Sequence, residues 1–471
     1  MRHLAADWLK NIRLSKVEGE NVVEVNSVHE VVFSDLTHDA MGVAKINGFP
    51  VFVKDALKGE TARIKIHKVN KNFGLGTLLN VTKVSPFRKE PICDVHHQCG
   101  GCNLMHMNYD MQLSFKRHRV KETLNRLGGV ESSVNETIGM NNPYYYRNKA
   151  MIPFSTNNGK IIAGFFKPRS HEVVDVKKCL IYPKIFTDLL KHFKLLLEEL
   201  NIPIYEAYTK KGIFRGLMLR QSFSNNDLMV VMITTGGKIP QKDKLINILV
   251  ERFPFIKSII VNSASSSGKF RLGNRSKVLY GQDNIQDVLL GIKYNISHQS
   301  FFQINPEQTE LLYKKAIEYA DLSIDDTVLD AYSGIGTIGL STANDVKRVI
   351  GFDDVKSAIK NAYKNIKENN ITNAEYYHLK ASDALDKLKD LAINKVFVDP
   401  PRKGVEQEFL QTLSKLKPER IIYISCNVAT LARDTKYLTS EGYQLKEVTP
   451  VDMFPQTSHI EVVAKFVYRG N

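Results

Sequence analysis

From residue 327 onward, apolar and polar positions keep a regular rhythm. Short apolar runs, TVLDAY, RVIGFD, EYYHL, KVFVDPP and RIIYIS, alternate with longer stretches of helical character such as VKSAIKNAYKNIKENN and TLARDTKYLTSEG. Apolar runs of strand length that alternate with helices predict a doubly wound parallel sheet. The last two runs, YQLKEVTPV and HIEVVAKFV, leave no room for a helix between them, so one should run antiparallel and close the sheet as a hairpin. Earlier in the chain the rhythm is different. Residues 26–84 hold short β-like runs (VVFSDLT, GFPVFVK, TARIKIHKV, GLGTLLNVTKV) broken by Gly and Asn turns. About five strands in so short a stretch predict a small OB-like β-barrel of the kind that binds oligonucleotides. SPFRKEP reads as the linker out of it. The stretch 92–300 mixes helices such as FTDLLKHFKLLLEEL with strands such as LMVVMITT and SIIVNSA, an α+β pattern. Three domains are therefore expected: a barrel at 26–84, a middle region at 92–300 and an α/β catalytic domain at 301–471.

Length agrees, since 471 residues exceed what one core ordinarily serves. The composition, 43% hydrophobic and 24% charged, is that of a soluble globular protein. No apolar run approaches the roughly 18 residues that a membrane span needs. The opening MRHLAADWLKNIRLSKVEGE lacks an apolar signal core, so a cytoplasmic location is expected. Charge adds a partner. The net charge is +15, and from Lys54 to Lys89 there are nine Lys/Arg against two acids. A solvated strand face accounts for such a run; a surface that tracks phosphates accounts for it better, because clustered cations release counterions from nucleic acid.

Five cysteines are too few and too odd for a disulfide framework. Cys93, Cys99 and Cys102 crowd into CDVHHQCGGC, while Cys179 and Cys426 stand apart. Cys426 follows the apolar run IIYIS and precedes a helix start at which Thr430 is the expected cap, so it sits where open α/β sheets place ligands. GIGTIG (334–339), with Asp353 ending the next strand, has the spacing of a turn that admits a nucleoside cofactor. That spacing suits nicotinamide dinucleotides as well. The closing hairpin favours S-adenosylmethionine. In DPPRKG (399–404) two prolines stiffen a strand-end loop and aim Asp399 at the same edge.

VLDAYSGIGTIGL, VDPPRKG, YISCNVATLARD and DMFPQTSHIEVV occur in this order in the RNA (uracil-5-)-methyltransferase family, which the chain resembles from about residue 28 onward. HDAMGVAKINGFPVFVKDALKGE is similar to the start of a TRAM barrel. PYYYRNKAMIPF, SHEVVDVKKC and SHQSFFQIN are similar to middle-region segments of the family. The resemblance is to the branch that acts on ribosomal RNA and carries a TRAM domain and an iron–sulfur cluster.

The resemblance implies methyl transfer from S-adenosylmethionine to C5 of a uridine in 23S ribosomal RNA, giving 5-methyluridine; a transfer RNA uridine is the alternative substrate. It implies Cys426 as nucleophile and Glu461 as proton acceptor. Gln303, Tyr332, Asp353 and Asp399 become the cofactor contacts. Asp383 and Arg402 are further candidates by position, for adenine and for uracil or phosphate respectively. Cys93, Cys99, Cys102 and Cys179 become ligands of a [4Fe–4S] cluster, with tetrahedral zinc kept open by His96, His97 and His106. A monomer with RNA as its partner is expected. Two positions depart from the family pattern: Val428 replaces the usual proline after S-C-N, and Gln456 stands where many members have histidine.

Overall fold

The computed structural model describes residues 23–264 and 270–470, and the chain divides into two compact units at Arg88/Lys89. The first unit is a six-stranded sheet. From one end to the other its strands are Val28–Val32, Thr61–Val69, Gly74–Lys83, Phe49–Val53, Gly42–Ile46 and Asp35–Leu36. No ladder joins the two end strands among the described residues. Thr61–Val69 shows why the chain is β here: Ala62, Ile64 and Ile66 are buried, and Arg63, Lys65 and His67 between them are exposed. That period of two puts one face into a core shared with Phe33, Ala44, Val51 and Val53. The linker is anchored back onto this unit. Arg88 donates to buried Glu60 at 2.5 and 2.6 Å, and the carboxylate also accepts from the Leu57 and Ser85 amides. Burial alone would push the Glu60 carboxyl up; Arg88 and the two amides outweigh it and hold it below the ordinary value.

The second unit contains two large sheets, and the expected division at 300/301 falls inside it. One sheet has Phe214–Gln221 and Leu228–Thr234 at its centre, both almost wholly buried. The other is the regular sheet of the C-terminal region. Its strands are β1 (Thr327–Ala331), β2 (Arg348–Asp353), β3 (Ala374–His378), β4 (Lys395–Val398), β5 (Arg420–Ser425), β6 (Tyr443–Val451) and β7 (Glu461–Tyr468). They lie in the order β3-β2-β1-β4-β5-β7-β6. The first five are parallel, and β7 runs antiparallel to both neighbours, as the missing helix between the last two runs requires. Alternate residues of each strand feed opposite cores. Leu329, Val396, Val398 and Ile421 pack with Phe409, Leu410 and Leu431; Val328, Phe397, Ile422 and Ile424 pack with Leu312, Tyr313 and Ile359. Cover on both faces is why these strands read as unbroken apolar runs.

Candidate active site

The parallel strands end on one edge, and the candidate residues gather there. Tyr332 follows β1, Asp353 ends β2, Asp399 follows β4 and Cys426 follows β5. Glu461 reaches the same edge from the other direction, as the first residue of antiparallel β7. Ser425 lies opposite Val462, so Cys426 and Glu461 are the next step of that register. Residues 35 apart in sequence are thereby made neighbours by strand order and direction together. Gln303 is buried in the segment before helix Pro306–Ala320, and its carbonyl accepts from Asn148 at 3.0 Å. Asp383 is exposed in a short turn after β3 and accepts from its neighbour Ser382.

The turn after β1 is tightly constrained. Tyr332 holds φ +60°, a left-handed conformation that costs a non-glycine residue about 1–3 kcal/mol. Its ring packs against both Phe352 and Phe409, centroids 5.9 and 5.8 Å away, and those two rings lie 5.2 Å from each other. The Gly334 amide donates to Asp353 Oδ2 at 2.9 Å and the Val355 amide to Oδ1 at 2.8 Å. Those bonds fix the carboxylate and leave lone pairs that can accept further hydrogen bonds. A Cβ on Gly339 would lie 2.5 Å from the Tyr376 hydroxyl and 2.8 Å from Asp330 Oδ2, so the helix start can approach β1 only without a side chain. Buried Asp330 accepts from the Gly339 amide at 2.9 Å.

Burial dominates the electrostatics. It pushes the Asp399 carboxyl up to about 7. Glu461, 4% exposed, is raised well above the ordinary carboxyl value by burial and then by Asp399, with Arg402 opposing. The Cys426 thiol is pushed up to about 12 by burial, then by Glu461 and Asp399; Arg402 again opposes. Arg402 itself is exposed, and its carbonyl accepts from Asn427 Nδ2 at 2.9 Å.

The other four cysteines line one cavity of about 530 Å³, together with Arg147, Tyr182 and His96. Cys179 comes to it across a long sequence gap from Cys93, Cys99 and Cys102. None is in a disulfide. The Gly101 amide donates to Cys99 Sγ at 3.3 Å. Burial and the neighbouring cysteines push the Cys102 thiol up, and burial raises Cys179 to about 12. Two thiols whose burial disfavours ionisation suit a cationic group that would deprotonate them on binding. Among the described residues the four sulfurs form no group within 4.8 Å of one another. Tetrahedral zinc, with Zn–S near ~2.3 Å, draws its sulfurs to within ~4 Å of each other. His96 and His106 are buried, with rings 6.3 Å apart.

The model of the family described as tRNA (Uracil-5-)-methyltransferase matches residues 270–466, and that of the TRAM domain matches residues 22–79. A protein of Clostridium tetani described as an uncharacterized RNA methyltransferase is 42% identical over 95% of this chain and 98% of its own length. The chain belongs to the RNA (uracil-5-)-methyltransferase family. A Bacillus cereus protein of the same description is 42% identical over 94% of this chain and 97% of its own. Among solved structures, the tRNA (uracil-54, C5)-methyltransferase of Pyrococcus abyssi in complex with S-adenosyl-L-homocysteine is 28% identical, with a TM-score of 0.74 over 93% of this chain and 100% of that one. The protein is thus an S-adenosylmethionine-dependent RNA methyltransferase with an N-terminal TRAM domain.

Both departures from the family pattern have a structural reading. Val428 is the first residue of helix Val428–Ser440 and is buried, a position that also suits proline because the amide there has no helical partner. The helix begins two residues before the expected cap. Asn427 caps it by accepting from the Ala429 amide at 3.2 Å, and Thr430 instead donates to the Asn427 carbonyl at 2.8 Å. Gln456 is 2% exposed with φ +68° and bonds to the middle region. Missed altogether was the fully buried ion pair of Lys116 with Asp452 at 2.5 Å, in which Tyr109 also donates to Asp452 at 3.0 Å. Nothing local marks it, because SFKRHRVKET reads as a basic surface helix.

Proposed function

We propose that the protein methylates C5 of a uridine in ribosomal RNA through a covalent adduct, with Cys426 as nucleophile and Glu461 as base. The observation that carries this reading is the juxtaposition of Cys426 and Glu461 at the end of β5 and β7, beside Asp399 and Arg402. Uracil C5 is too weak a nucleophile to attack a sulfonium methyl directly. Addition of the Cys426 thiolate to C6 pushes the ring electrons toward C5 and the C4 carbonyl. S-Adenosylmethionine supplies the electrophilic methyl group. C5 takes it, Glu461 removes the C5 proton, and the electron pair restores the C5–C6 bond as the thiolate leaves. A thiolate both adds and departs readily, which an alkoxide would not. Tyr332, Asp353, Asp399 and Gln303 would hold the cofactor, the Asp353 carboxylate facing its ribose. The base must leave its stack to meet Cys426.

The four-thiol cavity would hold a [4Fe–4S] cluster on Cys93, Cys99, Cys102 and Cys179, fastening the loop 93–102 to the segment at 179. The exposed cations of the TRAM domain would grip flanking RNA. Ribosomal RNA is preferred over transfer RNA because the family branch with both a TRAM domain and four such cysteines acts on it. Mapping 5-methyluridine in RNA from cells lacking this protein decides the substrate. At least one 23S position should lose the methyl group and regain it with the wild-type gene but not with Cys426→Ala. Loss confined to transfer RNA would overturn the ribosomal assignment.

A further inference from the structure

Between β6 and β7 the chain runs from Asp452 to Ile460, and Glu461 follows directly. This loop is held by the segment that follows the cysteine cluster. Gln456 is the central fastening. Its amide donates to Gln112 Oε1 at 3.0 Å, and its Oε1 accepts from Gln112 Nε2 at 3.1 Å. Its carbonyl accepts from the backbone amides of Asn103 and Leu104 at 3.1 and 3.0 Å. Asn103, the residue after Cys102, also grips Ser458 through both ends of its amide, at 2.8 and 3.1 Å. Arg119 donates to the Ser458 carbonyl at 2.5 Å, and Tyr146 to that of Pro455 at 2.9 Å. Gln456 holds a left-handed φ, which its surroundings must keep in place. Cys426 is held otherwise. It stands between β5 and the helix capped by Asn427, and Asn427 in turn bonds the Arg402 carbonyl within the same sheet edge.

We propose that Gln456 is a positioning residue that registers the strand bearing Glu461 against the four-thiol segment, so that the state of that segment governs removal of the C5 proton and not the addition of Cys426. The proposal rests on Glu461 being the base. It gives the thiol site a part in the reaction without electron transfer: whatever ties Cys102 in place also ties Asn103, and Asn103 holds the loop that aims Glu461. The glutamine at 456 adds to its backbone bonds a side-chain Oε1 that accepts from Gln112 Nε2, while the backbone amide of the same residue serves Gln112 Oε1.

The test is single-turnover kinetics on in-vitro-transcribed 23S ribosomal RNA, or on transfer RNA should that be the species wild type labels, with methyl-labelled cofactor. Denaturing electrophoresis separates adduct formation from adduct resolution. Wild type, Gln456→Ala, Asn103→Ala and Glu461→Gln are compared, with S-adenosylmethionine affinity as the check that each variant is folded. Gln112→Ala stands in if Gln456→Ala fails that check. Displacement of about 1 Å at a reacting group costs up to ~100-fold, so Gln456→Ala and Asn103→Ala should resolve the adduct about tenfold more slowly, with formation within about twofold of wild type. Methylated adduct should accumulate in both. A parallel fall of formation and resolution, or no change in either, would overturn the proposal. If Glu461→Gln stalls while the other two resolve normally, only the positioning role falls. If Glu461→Gln resolves at the wild-type rate, the base assignment falls and takes the positioning role with it.

Discussion

At the scale of single residues, the site sets a nucleophile against its own surroundings. Burial and two carboxylates hold Cys426 as a thiol, and Arg402 is the charge that favours its thiolate. The sign of the pH dependence follows. With the thiol pushed up to about 12, the thiolate fraction is small at neutral pH and rises as pH rises toward that value. Alkylation of Cys426 by iodoacetamide, read by mass spectrometry, should therefore quicken by up to about tenfold per unit from about pH 7 to about pH 10. Arg402→Ala should slow it by about threefold to tenfold across that range, since one unit of pKa is a factor of ten. A rate that is flat with pH would remove the raised thiol. An Arg402→Ala rate equal to wild type would remove Arg402 as its opponent.

At the scale of elements, strand Thr61–Val69 shows how one period serves two purposes. Its inward residues build the TRAM core, its outward ones, Arg63 and Lys65, present charge, and Lys68 is exposed past a shift in the pairing register. Not every cation of the basic run is free to do so. Arg88 is bonded to Glu60 and is a structural residue, which the count of charges from Lys54 to Lys89 could not distinguish. Replacing Arg63, Lys65 and Lys68 by Gln together should weaken RNA binding and flatten its logarithmic salt slope by about 2 to 3, on the order of 0.7–0.9 per lost phosphate contact. S-Adenosylmethionine affinity and the unfolding temperature should not move. Filter-binding titrations over a range of salt measure this; an unchanged slope would make the run a solvated face.

At the scale of the whole chain, the four-thiol cavity gathers residues from two distant segments of the second unit. Protein purified without oxygen should be brown and carry about four iron atoms per chain, as a four-thiolate [4Fe–4S] site requires. Cys179→Ser should lose iron although it leaves the CDVHHQCGGC segment intact. Colourless protein with one tightly bound zinc would overturn the cluster and leave the fold untouched. Among the described residues no helix is long and apolar enough to cross a membrane.

The succession and type of the C-terminal strands along the chain, the reversal of one of the last two and the edge on which Cys426 and Asp399 sit were all determined by the sequence itself. Each is a local property: a strand buried on both faces must be apolar along its length, and a chain without a helix between two strands must turn back. What only the tertiary structure decided is pairwise and distant. That β7 inserts between β5 and β6, and so sets Glu461 against Cys426, depends on strand order, which no run of residues records. Helix Tyr109–Thr123 makes the same point, because its lysine at 116 is as polar in sequence as its neighbours and is nonetheless fully buried. A charged group leaves water only when a partner such as Asp452 compensates it. That partner stands 336 residues away, where local pattern carries no information about it.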